Sequence, residues 1–200
     1  MSRLIGWVRF AWNFEINLYR SLFRLLARRP AVPAGATPVP YVGAVSLLLW
    51  VFVVGSAVEL VALHLVLPWE SVRLVADIVG LWGLLWMLGL TASHYVYPHV
   101  LDDTAMVLRA GHTDIVVVPW AAVERLSTRE RSVDSSRSPQ LDAGGALLVP
   151  VASRTNVELH LRAPIEVEVR GQQRWVTEVR FFADDPRAVR AFSVRSGGSR

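Results

Sequence analysis

VGAVSLLLWVFVVGSAVELVALHLVL (42–67) and VRLVADIVGLWGLLWMLGLTASHY (72–95) stand almost back to back, parted only by Pro68-Trp69-Glu70-Ser71. Each run is as long as the ~20 residues a helix needs to cross the hydrocarbon core of a bilayer. In lipid every backbone amide must find a partner within the protein, which leaves helices and closed barrels, and this pattern is helical. Residues 41–97 therefore read as a two-helix transmembrane hairpin, with spans at 42–67 and 72–95. The rest of the chain is read relative to that plane.

Charge sets the orientation. Residues 1–40 hold six arginines against Glu15, whereas the turn between the spans has only Arg73 at its edge. The positive-inside rule then places both termini in the cytoplasm of a cell membrane crossed twice. Residues 101–200 are nearly balanced, with 14 Arg against 13 acids, so the high pI belongs to the N-terminal segment and a nucleic-acid partner is not expected. All 21 basic residues are arginine, which points to a bacterium with a GC-rich genome. The absence of cysteine excludes disulfides, thiolate catalysis and thiolate metal sites. Residues 4–26 are broken by Arg9, Asn13, Glu15, Asn17, Arg20 and Arg24, unlike the apolar region of a cleavable signal peptide.

Residues 1–29 form a membrane element of another kind. On a helical wheel Arg9, Asn13, Asn17, Arg20, Arg24 and Arg28 fall on one stripe, and Trp7, Trp12, Phe14, Leu18 and Leu22 lie on the remaining surface. This is the pattern of a basic amphipathic helix lying on an anionic inner leaflet, with Arg9, Arg20, Arg24, Arg28, Trp7 and Trp12 at the membrane interface. The alternative is that its apolar face packs on protein. Residues 30–40 carry four prolines and read as an extended linker. Tyr41, Tyr95 and Tyr97 mark one membrane interface and Trp69 the other. Ala76 and Gly80, facing 55–57, offer small residues for close helix approach.

After Pro98 the period changes to alternation. Strands are expected at 104–109, 114–119, 123–133, 146–151, 156–162, 165–170 and 174–182, with a mobile loop at 134–145. Asp184 or Asp185, followed by Pro186, opens a short helix through Val194, and 196–200 is a tail. Local sequence supports a family likeness: Tyr97-Pro98-His99, Leu108-Arg109-Ala110-Gly111, Val118-Pro119-Trp120-Ala121-Ala122-Val123 and Phe181-Phe182-Ala183-Asp184-Asp185-Pro186. With the element order, residues 96–194 resemble the bacterial pleckstrin-homology-like domains that follow paired membrane spans. The resemblance implies an α+β membrane protein: an amphipathic helix, a transmembrane hairpin, and at 98–195 a cytoplasmic seven-stranded PH-like β-barrel with one C-terminal helix. It also implies a tethered binding or scaffolding module. Phosphoinositide-binding relatives carry clustered basic residues in the first hairpin loop, where this chain has only Gly111-His112-Thr113.

Few residues suggest chemistry. Glu59 is a carboxylate deep in a span and has to find a partner, water or a proton. In an antiparallel hairpin His64 falls level with Asp77, so Glu59, His64 and Asp77 are the candidate intramembrane polar contacts; pairing of His64 with Asp77 near the outer headgroups is the plainer reading. His94, His99, Asp102 and Asp103 match no metal-ligand spacing and read as solvated polarity, as do His112 and His160. Arg125, Arg129 and Arg131 on one strand are a candidate partner surface. The serines lie in no nucleophile elbow, and no phosphate loop or dinucleotide fingerprint occurs. Neither a cofactor nor enzyme activity is expected. The expectation is a membrane-anchored scaffold or assembly factor that touches the lipid bilayer and a protein partner or further copies of itself. The alternatives are an accessory subunit of a larger transporter, channel or respiratory-type complex, and a module sensing anionic lipid.

Overall fold

The computed structural model describes residues 2–135, 137–169 and 171–197, with side chains from Trp12 to Arg195. Two compact units emerge. One joins the segment up to Pro30 with Ser46–Val96, and the other joins Ala31–Val45 with the chain from Tyr97 onward.

The first unit is helical. α1 (Ser2–Leu26) precedes α2 (Gly43–Val66) and α3 (Glu70–Val96), and the last two are long and apolar enough to cross a membrane. Pro68 stops α2 because the residue before a proline is pushed out of helical space, and Glu70 opens α3 with a negative charge where the helix dipole favours one. The helices run antiparallel, with Trp50 Nε1 donating to the Tyr95 hydroxyl at 3.3 Å and Leu60 lying over Gly80. α1 packs against α3. Phe14 meets the Trp86 ring at 5.7 Å, and Leu18 is buried over Gly89, where a Cβ would come within 2.9 Å of the Leu18 Cβ. Part of the α1 apolar face is thus taken up by protein, the alternative to a helix lying on lipid alone. Trp12, Phe23 and Leu26 of the same helix remain exposed.

The second unit is built on two sheets. The first orders β1 (Thr37–Val39), β2 (His99–Leu101), β3 (Ala105–Ala110) and β4 (Thr113–Pro119), all antiparallel. A 3-10 turn at Trp120–Ala122 leads into β5 (Val123–Ser132). The second sheet orders β5, β8 (Arg154–Val169), β9 (Gln172–Phe181), β7 (Leu147–Val149) and β6 (Gln140–Leu141), with β7 parallel to β9. Alternation decides the core: Val157, Leu159 and Leu161 of β8 and Met106 and Leu108 of β3 are buried, as are Val176, Val179 and Phe181 of β9, whose spacing shifts by one across the irregularity in the β8–β9 ladder. α4 (Pro186–Gly197) adds Val189, which is fully buried, and Phe192, which lies against Trp120 at 5.8 Å between ring centres.

The architecture is α+β, but it departs from a seven-stranded closed barrel. The described residues form nine strands in two sheets. The proline-rich 30–40 stretch supplies β1, and proline is tolerated there because β1 is the outermost strand of its sheet. The strands expected at 156–162 and 165–170 are one strand. Pro164 has no N–H to give, and the ladder absorbs it as an irregularity between the His160–Glu178 and Ile165–Val176 pairs. Part of the 134–145 loop is ordered as β6, paired with β7. The two aspartates before Pro186 divide their work. Asp185 accepts from the N–H groups of Arg187 and Ala188 and caps α4, whereas Asp184 accepts from the Gly43 N–H at 2.9 and 3.0 Å, at the start of α2.

Candidate functional site

In the hairpin, antiparallel pairing brings His64 and Asp77 together, Nδ1 to Oδ2 at 2.8 Å. Both side chains are partly exposed, and the other Asp77 oxygen is buried without a hydrogen bond among the described residues. Glu59 does not join them. It lies exposed on α2, with no ion pair or hydrogen bond among the described residues. A different acid is hydrogen-bonded between α1 and α3. Glu15 of α1 accepts from Trp82 Nε1 of α3 at 2.9 Å and from the Tyr19 hydroxyl at 3.0 Å. The sequence signal for it was the spacing of Glu15 and Tyr19, one helical turn apart; the Trp82 partner is set only by the α1–α3 packing. Arg20, Arg24, Arg28 and Trp12 are exposed, as an interfacial role requires, and the side chains of Trp7 and Arg9 lie outside the described residues.

In the β unit His99 and Asp102, read as solvated polarity around the membrane exit, are both tied into the fold by hydrogen bonds. His99 is fully buried and neutral: its Nδ1 accepts the Arg109 N–H at 2.9 Å and its Nε2 donates to the Phe182 carbonyl at 3.1 Å. Burial pushes its pKa down to about 4. Tyr41 stacks on it at 4.6 Å and Phe181 meets it edge-on at 5.5 Å. Tyr41, expected at the membrane interface, is itself buried in this unit, and its hydroxyl accepts the Gly111 N–H at 2.8 Å. Asp102 spends one oxygen on the Thr104 hydroxyl and on the N–H groups of Thr104 and Ala105, and those bonds hold its carboxyl below the usual carboxylate range. Both ring nitrogens of His99 are thus committed to the fold.

A charged cluster covers the face of the second sheet away from the core. Register places Glu158 opposite Arg180, His160 opposite Glu178 and Ser127 opposite Glu158. Glu158 is only 4% exposed; Arg131 Nε and the Ser127 hydroxyl donate to it. Burial pushes the Glu158 carboxyl up, but the Arg131 hydrogen bond and charge, with Ser127 and Arg180, outweigh it and leave the pKa lowered. Arg180 is bidentate to Glu178, at 2.6 and 3.0 Å, and reaches Asp142 at 2.8 Å. Donor atoms of Glu158, His160 and Glu178 lie within 4.8 Å of one another, a set able in principle to ligate a divalent cation. Both carboxylates are already held by guanidinium groups, so a metal would have to displace them. The cluster is therefore charge-compensated. Arg131 belongs to it and is withdrawn from the partner surface expected on β5, while Arg125 and Arg129 are exposed with no ion pair among the described residues. His160 is half-buried beside the acids and not a free surface residue.

No family model, no curated protein and no solved structure matches this chain.

Proposed function

We propose that the protein is a non-catalytic membrane-anchored adaptor, whose apolar hairpin holds a PH-like β unit at the cytoplasmic face of the bilayer for a membrane partner. The observation that carries this reading is a contrast within one chain. The apolar helices α2 and α3 are mostly exposed, as lipid-facing helices are, whereas the buried and clustered charges of the β unit satisfy one another. A tether raises the local concentration of a weakly binding domain, so a modest surface suffices. The test is purification of the full chain in mild detergent followed by mass spectrometry. A membrane protein recovered in stoichiometric amount is expected; recovery of the chain alone at native expression levels overturns the proposal.

A second reading, an accessory subunit held by helix–helix contact, is favoured by Glu59. A carboxyl on the lipid-facing side of α2 is costly unless another span covers it. Glu59→Leu should then release the subunit from its complex, and an unchanged complex removes this reading.

A further inference from the structure

The helices of the first unit are unevenly covered. α1 lies on α3, with Leu18 over Gly89 and Phe14 on the Trp86 ring. α2 has little such cover: of its residues only Leu49 and Val53 are buried. Those two share a side of the helix with Leu60, which lies over Gly80 of α3.

Away from that side runs a regular stripe. Leu48, Phe52, Gly55, Glu59, Ala62 and Val66 follow one another at alternating steps of four and three residues, and all of them are exposed. Such alternation is the seam along which two helices pack in a left-handed pair. Its two small residues, Gly55 and Ala62, stand about one turn on either side of Glu59. A Cβ built on Gly55 would meet nothing within 4 Å, so a neighbouring backbone has room to approach there. Glu59 itself lies about 10 Å from the Val66 end of α2, deep in the span. It has no hydrogen bond or ion pair among the described residues, and a polar group at that depth is costly until another helix covers it.

We infer that this stripe of α2 is the contact between two copies of the chain, packed in parallel about a two-fold axis with their Glu59 side chains meeting at the axis. Every copy inserts with the same orientation, so a second copy brings the same stripe to the same depth. In a parallel pair each seam residue meets its own counterpart: Gly55 meets Gly55 and Ala62 meets Ala62 where the backbones come closest, while Leu48, Phe52 and Val66 fill the ends. A carboxyl group both donates and accepts, so two of them satisfy each other with no cation, and neither span carries an arginine at the depth of Glu59. A single polar residue in such a seam fixes register and stoichiometry. The inference goes beyond the adaptor reading and does not need it; a dimeric anchor would offer two β units to one membrane partner.

The chain has no cysteine, so single cysteines report the contact without background. The full chain in native membranes is oxidised, which joins cysteines whose Cα atoms lie within about 7 Å. Phe52→Cys and Ala62→Cys should give a product of twice the chain's mass, whereas Val54→Cys and Val61→Cys, exposed on α2 but off the stripe, should not. In detergent micelles Glu59→Leu should raise the dissociation constant of the dimer about tenfold, the size of one interhelical hydrogen bond. Glu59→Gln still donates and accepts and should hold the dimer, which separates the hydrogen bond from mere bulk. Cross-linking without preference for the stripe, or none at all, overturns the inference, as does a Glu59→Leu dimer of undiminished strength. A cross-linked product of another mass overturns it in favour of a different protein's span over Glu59. The adaptor reading is judged apart, by which membrane protein co-purifies, and its failure leaves the dimer standing.

Discussion

His99 joins chain segments that are far apart: its ring nitrogens meet Arg109 and Phe182, and Tyr41 stacks on its face. Its pKa is depressed from 6.5 to about 4, so the unfolded chain takes up a proton before the folded one does. The stabilisation is complete above pH 6.5 and is lost as pH falls through that window toward 4, amounting to about 3 kcal/mol. Denaturation of the full chain at pH 7.5, 6, 5 and 4 should show this decline, and His99→Phe should flatten it. Glu158 adds a separate loss at lower pH, because its lowered pKa makes its stabilisation vanish only on protonation. Arg131→Met would leave that buried carboxylate short of its main partner and should cost about 2 kcal/mol, whereas Arg129→Met should be near neutral. Neither His99 nor Glu158 declared itself in sequence. Alternation put Glu158 and His160 on the polar face of a strand, correctly, but how deeply that face is covered depends on Arg131, Arg180 and Asp142, which arrive from other strands and a loop.

At the scale of elements, two glycines show how much rests on what lies opposite. A Cβ at Gly80 would meet only the far end of the Leu60 side chain, which can turn aside. A Cβ at Gly89 would meet the Leu18 backbone carbonyl at 3.0 Å, which cannot move without shifting α1. Gly89→Ala should therefore destabilise the α1–α3 pair by about 1–2 kcal/mol while Gly80→Ala is tolerated. Phe14→Ala and Trp86→Ala should be non-additive in a double-mutant cycle read from melting, and Gly89→Leu should remove that coupling. Asp184 binds the Gly43 N–H, and Asp184→Ala should cost about 1 kcal/mol, read from the melting of the full chain. The amphipathic pattern of α1 and both apolar runs were legible because each is local periodicity. The merging of two expected strands into β8 was not. A proline reads as a stop unless it is known that the ladder across from it slips.

For the molecule as a whole, the reading predicts a topology. Single cysteines at Trp69 and at Gln172 should react with a membrane-impermeant maleimide on opposite sides of intact cells, Trp69→Cys from outside and Gln172→Cys only after permeabilisation. Labelling of both from outside would overturn the cytoplasmic assignment of the β unit. Carbonate at high pH should leave the chain in the membrane fraction.

Sequence alone determined the two apolar helices, the basic N-terminal stripe, the alternating strands and the closing helix, because length, periodicity and composition act over neighbouring residues. The hairpin pairing of His64 with Asp77 was legible for the same reason, since a short turn sets the register of the residues on either side of it. Only the tertiary structure decided that Thr37–Val39 completes a sheet, that His99 and Glu158 are buried, that Glu15 rather than Glu59 finds a partner inside the helical unit, and that Arg187 and Arg190 line one groove with Thr128. Each of these depends on residues tens of positions away, and which of them meet is settled only when each unit packs its own core.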